Sequence, residues 1–238
     1  AAWADKYDGL VHATPHRNVT IAMNEAIGVI GIVCPDRLPL LGFISTIAPT
    51  LATGNAVVVV PSIFGVDSDM AMIAERLAGE GYVGVVLDPF WRDEDAGVIG
   101  HDEEGRARAF ARLDRTPFEQ AFGDLTDVIE NVRSREECNG KIAVMGFCYG
   151  GPFAIVAGAK CGTQAGISYH GSFVGNYLDS VPDVGCPLSF HWGDNDRAAP
   201  MELIEEVKQS FTQLDDAEVF LYPGGVEHGY MLPGHGAA

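Results

Sequence analysis

The chain has 238 residues, 47% of them hydrophobic, and a formal net charge of −18 at pH 7. That length suits one α/β domain with a substantial core, and the acidic balance excludes the basic patch that nucleic-acid binding demands. The five cysteines, at 34, 138, 148, 161 and 186, include no C-x-x-C pair. This argues against a zinc site or a disulfide framework and for a reducing, cytoplasmic setting.

Read in chain order, no signal peptide is evident, and the longest apolar stretch, Leu38 to Ala52, is broken by Pro39, Gly42, Ser45 and Pro49. It falls short of the roughly 18 residues of a membrane helix; no membrane association is expected. From residue 56 onward, short apolar runs alternate with amphipathic ones. Ala56–Val60 reads as a buried strand. Asp67–Gly79 reads as a helix capped by Asp67 or Ser68, with Met70, Ile73, Ala74 and Leu77 on its apolar face. Tyr82–Leu87 is a strand, and the charged stretch Trp91 to Gly105 a loop over the sheet. Helices are expected at Arg106–Leu113 and Phe118–Arg133. Strands are expected at 142–145, 166–169, 187–192 and 218–222, with helices at 152–159 and 201–214. This alternation predicts an α/β fold with a mainly parallel sheet, helices on both faces, and a site beyond the carboxyl ends of the strands.

Gly146-Phe147-Cys148-Tyr149-Gly150-Gly151 carries the clearest chemistry. A strand precedes it and a helix follows, and glycines stand two residues either side of Cys148. This is the pattern of a nucleophile elbow, with sulfur as the reacting atom. In such sheets an acid and then a histidine follow the nucleophile. Asp196, in Gly193-Asp194-Asn195-Asp196, is the first choice of acid and Asp194 the second. His228, in Gly224-Gly225-Val226-Glu227-His228-Gly229, is the base. The backbone N–H of Tyr149, and that of Ile63 after the 56–60 strand, are the expected oxyanion donors, each typically worth about 3–4 kcal/mol. The other cysteines read as inert small apolar residues. His12, His16, His101 and His235 read as solvated loop residues and His191 as a strand residue pointing into the core, while His170 fits either description. Asp194 and Glu227 are otherwise most simply solvated loop carboxylates.

Residues 57 to about 235 resemble the dienelactone hydrolase family (carboxymethylenebutenolidases). The carriers are Ile63-Phe64-Gly65-Val66, Gly81-Tyr82-Val83, Asp88-Pro89-Phe90-Trp91-Arg92, the elbow, Gly193-x-x-Asp196 and His228-Gly229-Tyr230. The resemblance implies an α/β-hydrolase fold and a cofactor-free, metal-free enzyme that opens a small ester or enol-lactone. It also implies a Cys148–His228–Asp196 triad and a thioacyl-enzyme. A substrate site including Arg106, Ser62, Phe64, Phe110 and Tyr230 comes with it. Three positions depart from the family: Ser62 stands where a glutamate activates the cysteine, Phe110 replaces a tyrosine, and Leu232 replaces a second arginine. A general carboxylesterase or thioesterase, or a folded but impaired chimera, are the alternatives. A monomer is expected, with a shortened C-terminus relative to members that continue into a further helix.

Residues 1 to about 62 resemble an aldehyde dehydrogenase instead, through Ala1-Ala2-Trp3-Ala4-Asp5-Lys6, Asn24 to Pro35 and Ile47 to Ser62. Where active members carry an oxyanion-turn asparagine, this chain has Pro35-Asp36-Arg37. Val60 stands in place of the nucleotide-binding lysine. No NAD binding is expected. The simplest account is a fusion or chimera joined near Val57–Ser62, with residues 1–56 packed on a 57–238 core in one domain and Leu38–Thr53 as a crossover helix.

Overall fold

The computed structural model describes residues 10–13, 19–22 and 54–233. The proposed crossover helix, Cys34, His16 and His235 lie outside them. Strands β1 (Leu10–Ala13) and β2 (Val19–Ala22) form an antiparallel pair, so His12 belongs to a strand and not a loop.

The remaining strands are β3 (Ala56–Val60), β4 (Val83–Val86), β5 (Ile142–Phe147), β6 (Ala165–Tyr169), β7 (Leu188–Gly193) and β8 (Ala217–Tyr222). They form a six-stranded sheet in the order β4-β3-β5-β6-β7-β8, every pairing parallel. The β-branched run Val57–Val60 is buried on both faces, as a strand flanked on each side and covered above and below must be. With its helices, this sheet is the α/β-hydrolase architecture.

Helices α1 (Ser68–Gly79), α2 (Glu103–Arg115), α3 (Phe118–Arg133), α4 (Gly151–Lys160) and α5 (Met201–Phe211) connect the strands. The Asp67 carboxylate caps α1 by accepting from Asp69 N and Met70 N. Asp102 caps α2 through Gly105 N, so this helix starts three residues before its expected first residue, Arg106. Its first turn, Glu103 and Glu104, favours the positive end of the helix dipole but shows no apolar periodicity. Helix α4 is buried from Gly151 to Gly158 and packs against β5 and β6. A 3₁₀ stretch, Val174–Asp183, lies between β6 and β7, where the sequence suggested no element. No helix among the described residues is long and apolar enough to cross a membrane.

The register sets up the site. Val60 pairs with Gly146, Phe147 with Tyr169, Tyr169 with His191 and Gly193 with Tyr222. The strands therefore end nearly level, and the loops leaving β3, β5, β6, β7 and β8 emerge side by side.

Candidate active site

Cys148 follows β5 with φ +52°, in the left-handed region that costs a non-glycine residue roughly 1–3 kcal/mol. Surrounding glycines make the turn possible by close approach. A Cβ on Gly146 would lie 1.9 Å from Gly150 O, and one on Gly150 would lie 2.2 Å from Val60 O. The other two non-glycine residues with positive φ among those described are His170 (+41°) and Phe173 (+61°), on the turn after β6. Ser172 sits between them. Its N–H donates to Cys148 O at 2.9 Å, and its hydroxyl is 3.6 Å from the Cys148 sulfur. Sequence reading missed Ser172; only the pairing of Phe147 with Tyr169 brings the two turns together.

Of the two acids after β7, Asp196 meets the histidine. Its carboxylate oxygens both lie 2.9 Å from His228 Nδ1, and the side chain is fully buried. Ala198 N and Ala199 N also donate to it, at 2.8 and 3.2 Å, which fixes the carboxylate independently of the imidazole. Asp194 is exposed, as expected of a loop carboxylate, but it also accepts from Gly224, Gly225 and Val226 N at 2.8–2.9 Å and so ties the turn before His228 to the exit of β7. Those three N–H donors hold its pKa below the usual carboxylate range. Gly224 and Gly225, at φ +110° and +79°, supply the backbone that turn needs. His170 is buried, and its ring stands edge-on to that of His228 with centroids 4.8 Å apart. The histidine that the sequence left open is thus a wall of the site.

Electrostatics distinguish Cys148 from Cys161 and Cys186. Burial alone would push its thiol up. His228, the Ser172 hydroxyl and the Tyr149 N–H outweigh that, and the thiol is drawn below its ordinary value. Burial likewise disfavours imidazolium at His228, but Asp196 and Cys148 together raise it to about 10. Both shifts favour a thiolate beside an imidazolium, which is the activated form of a Cys–His nucleophile and base. Burial pushes Cys161 and Cys186 the other way, outweighing the Thr126 hydroxyl and the Arg133 and Lys160 charges at Cys161 and the Thr163 hydroxyl at Cys186.

The 62–65 turn faces the elbow across the end of β3. Ser62 O accepts from Gly65 N and Ser62 Oγ from Phe64 N, while Phe64 O accepts from Ile99 N. Ile63 is 6% exposed, and among the described residues its N–H donates to no protein acceptor. Buried N–H groups without partners are rare. Ser62 is fully buried, with its hydroxyl engaged in the turn. The Phe64 ring packs on His101, 4.3 Å between centroids, and His101 Nε2 is 3.3 Å from Asp67, so this histidine is a packed residue and not a solvated one. Tyr230 packs on His170 at 5.8 Å. Arg106 and Phe110 are exposed on α2 and make no hydrogen bond, ion pair or ring contact with Cys148, Asp196 or His228 among the described residues. Leu232 is buried in the core. His191 points into the interior as expected, between Ser189 Oγ and Tyr222 OH at 2.8 Å each.

Known proteins are similar to this chain in sequence and fold. A model of the dienelactone hydrolase family matches residues 44–237, and one of the aldehyde dehydrogenase family matches residues 1–79. The two matches overlap across β3 and α1. The carboxymethylenebutenolidase of Pseudomonas sp. (strain P51) is 31% identical over 164 residues, 68% of this chain and 69% of that protein. That of Pseudomonas putida is 28% identical over 165 residues, covering 69% and 70%. Among solved structures, a dienelactone hydrolase-like promiscuous phosphotriesterase from metagenomic libraries superposes with a TM-score of 0.59 at 21% identity, over 74% and 72% of the two chains. Est1E of Butyrivibrio proteoclasticus, solved with ferulic acid, gives 0.57 at 14% identity, over 76% and 83%. These two show the fold alone. The extent of the family match and the identity to a curated relative show more: the chain belongs to the dienelactone hydrolase family, enzymes that hydrolyse ester or lactone bonds.

Proposed function

We propose that this hydrolase cleaves a small ester or enol-lactone through Cys148, with His228 as base and acid and Asp196 as the group that orients it. One observation carries the proposal: a strained, downshifted thiol stands at the sheet's carboxyl edge beside a histidine fixed by a buried carboxylate. The thiolate attacks the acyl carbon, and the carbonyl π pair moves onto oxygen. That oxyanion is received by the N–H groups of Tyr149 and Ile63, each donor typically worth about 3–4 kcal/mol. As the tetrahedral adduct collapses, the C–O bond breaks and the leaving oxygen takes the proton from the His228 imidazolium. A thioester remains on Cys148. Neutral His228 then takes a proton from water, which attacks the thioester. Collapse releases the carboxylic acid and restores the thiolate–imidazolium pair.

The strained elbow holds Cys148 above the N-terminus of α4, and Ser172 supplies a hydroxyl beside the sulfur. Ser62 does not contact the thiol through its hydroxyl, which is committed to the 62–65 turn. Activation in this chain therefore rests on His228 and Ser172. Arg106, Phe64, Phe110 and Tyr230 are assigned to substrate contact. Leu232 is buried and apolar and Phe110 exposed and apolar, which favours a neutral ester over the carboxylate-bearing lactone that a carboxymethylenebutenolidase opens. No cofactor is assigned. The aldehyde-dehydrogenase-like N-terminal stretch is given no NAD site, and binding heat on calorimetric titration with NAD would count against that.

Hydrolysis of p-nitrophenyl acetate and of a dienelactone, by the wild type and Cys148→Ala, tests the proposal. The wild type should turn over the neutral ester at least as well as the lactone, and Cys148→Ala neither. Undiminished turnover by Cys148→Ala would refute the nucleophile assignment.

A further inference from the structure

Arg112 is fully buried on α2, and no carboxylate is hydrogen-bonded to it. Its guanidinium carbon lies over the Phe90 ring, 4.1 Å from the centroid. Nη1 donates to Asp95 O and Gly97 O at 3.0 and 2.7 Å, and Nη2 donates to Ile63 O at 2.7 Å. A buried cation held by backbone carbonyls and one aromatic face is costly compared with an apolar residue in the same space. Its neighbours on the exposed side, Arg108 and Arg115, already clip the 91–102 loop to α2 through Asp95 and Asp93. Retaining the loop therefore does not require Arg112. Outside that loop, what Arg112 reaches is Ile63.

Among the described residues, the hydrogen bonds around that residue leave two backbone donors over, the N–H groups of Ser62 and Ile63. The carbonyls of Ser62, Ile63, Phe64 and Gly65 accept from Gly65 N, Arg112, Ile99 N and Asp67 N respectively. Phe64 N is taken by Ser62 Oγ. The peptide between Ile63 and Phe64 is thus held at both ends, at its oxygen by Arg112 and at its nitrogen by Ser62. The peptide before it is held at its oxygen by Gly65 N. The peptides on either side of the Ile63 Cα are thus both held, and the Ile63 N–H stays free to donate.

We propose that Arg112 is a positioning residue for acyl transfer: its hydrogen bond to Ile63 O locks the 62–65 turn so that the Ile63 N–H faces the developing oxyanion. Arg112 acts in this way only where Ile63 receives the oxyanion, as proposed above. A lysine in its place keeps the charge but not the planar fork that spans three carbonyls.

Two rates measured on one protein separate this role from a structural one. Iodoacetamide alkylation of Cys148 needs the thiolate and no oxyanion donor, whereas hydrolysis of p-nitrophenyl acetate needs both. Arg112→Lys and Arg112→Met should lose about 10²-fold in kcat, the usual effect of removing one such donor. KM, the alkylation rate and its pH midpoint should stay within about twofold of the wild type. Equal losses of kcat and alkylation would mean that Arg112 merely supports the fold, and full kcat would mean that it does neither; each overturns the proposal. If neither variant folds, Ser62→Ala removes the other end of the same clamp with little change in volume. It must then show the selective kcat loss, and an unchanged kcat overturns the proposal. Failure of the underlying nucleophile assignment registers separately, as hydrolysis that survives Cys148→Ala.

Discussion

Replacing Asp196 by asparagine tests whether the buried carboxylate sets the ionisation of a thiol it does not touch. The amide oxygen can still accept from Ala198 N and Ala199 N, so the loop should keep its shape. The negative charge beside His228 Nδ1 disappears, and the amide NH₂ can now donate to that nitrogen, favouring the wrong tautomer. His228 then loses the strongest of the interactions that raise it to about 10. An imidazole that no longer holds its proton near neutrality cannot stabilise the thiolate, and Cys148 should relax toward an ordinary cysteine near 8.5. At pH 7 such a thiol is only about 3% ionised, so alkylation by iodoacetamide should slow by up to about 30-fold, with an inflection near pH 8.5. Ester hydrolysis should fall further, by about 10⁴, because both tautomer and proton transfer are impaired. The assay is the alkylation rate of Cys148 from pH 5 to 10, followed by mass spectrometry, beside kcat for p-nitrophenyl acetate. An alkylation profile identical to the wild type would refute the coupling from Asp196 through His228 to Cys148.

Ser172→Ala removes the hydroxyl 3.6 Å from the sulfur and should move the alkylation midpoint up by about one to two pH units, as expected for one hydrogen bond to a charged group; an unmoved midpoint would exclude it as a thiolate donor. Gly150→Ala would set a Cβ 2.2 Å from Val60 O and should destabilise the protein by about 3 kcal/mol or more in urea denaturation, whereas near-wild-type stability would mean that the elbow yields easily. His191 is held neutral by burial, its pKa lowered to about 4. Its contribution to stability is complete above about pH 6.5, its unfolded value, and is lost as pH falls toward 4 because the unfolded chain takes up a proton first. That amounts to about 3 kcal/mol, and the acid limb of stability against pH should be shallower by this much in His191→Phe than in the wild type. Parallel limbs would show that another group controls it.

What the sequence displayed and what it hid divide along a physical line. Strands, helices and the elbow were legible because each is local: β-branched runs, 3.6-residue spacing and glycines at fixed offsets all act within a few residues. Asp196 and His228 were legible at one remove, since parallel strands that end level bring their following loops together whatever lies between. Ser172 was hidden because its partner is fixed by the β5–β6 register, which no pattern in either segment announces. Asp194 was hidden because its three donors are backbone N–H groups on another loop, and backbone atoms leave no mark in a sequence. Arg112 is the instructive case. As a letter it matches Arg108 and Arg115, yet those are exposed and paired while it is buried. A signal did exist: Gly105, Ala109, Arg112 and Thr116 follow one another at helical spacing, and all four are buried. A charge on the apolar face of a helix cannot be satisfied by water. It demands fixed acceptors opposite it, and here those acceptors are the carbonyls of the very loop whose geometry the reaction depends on.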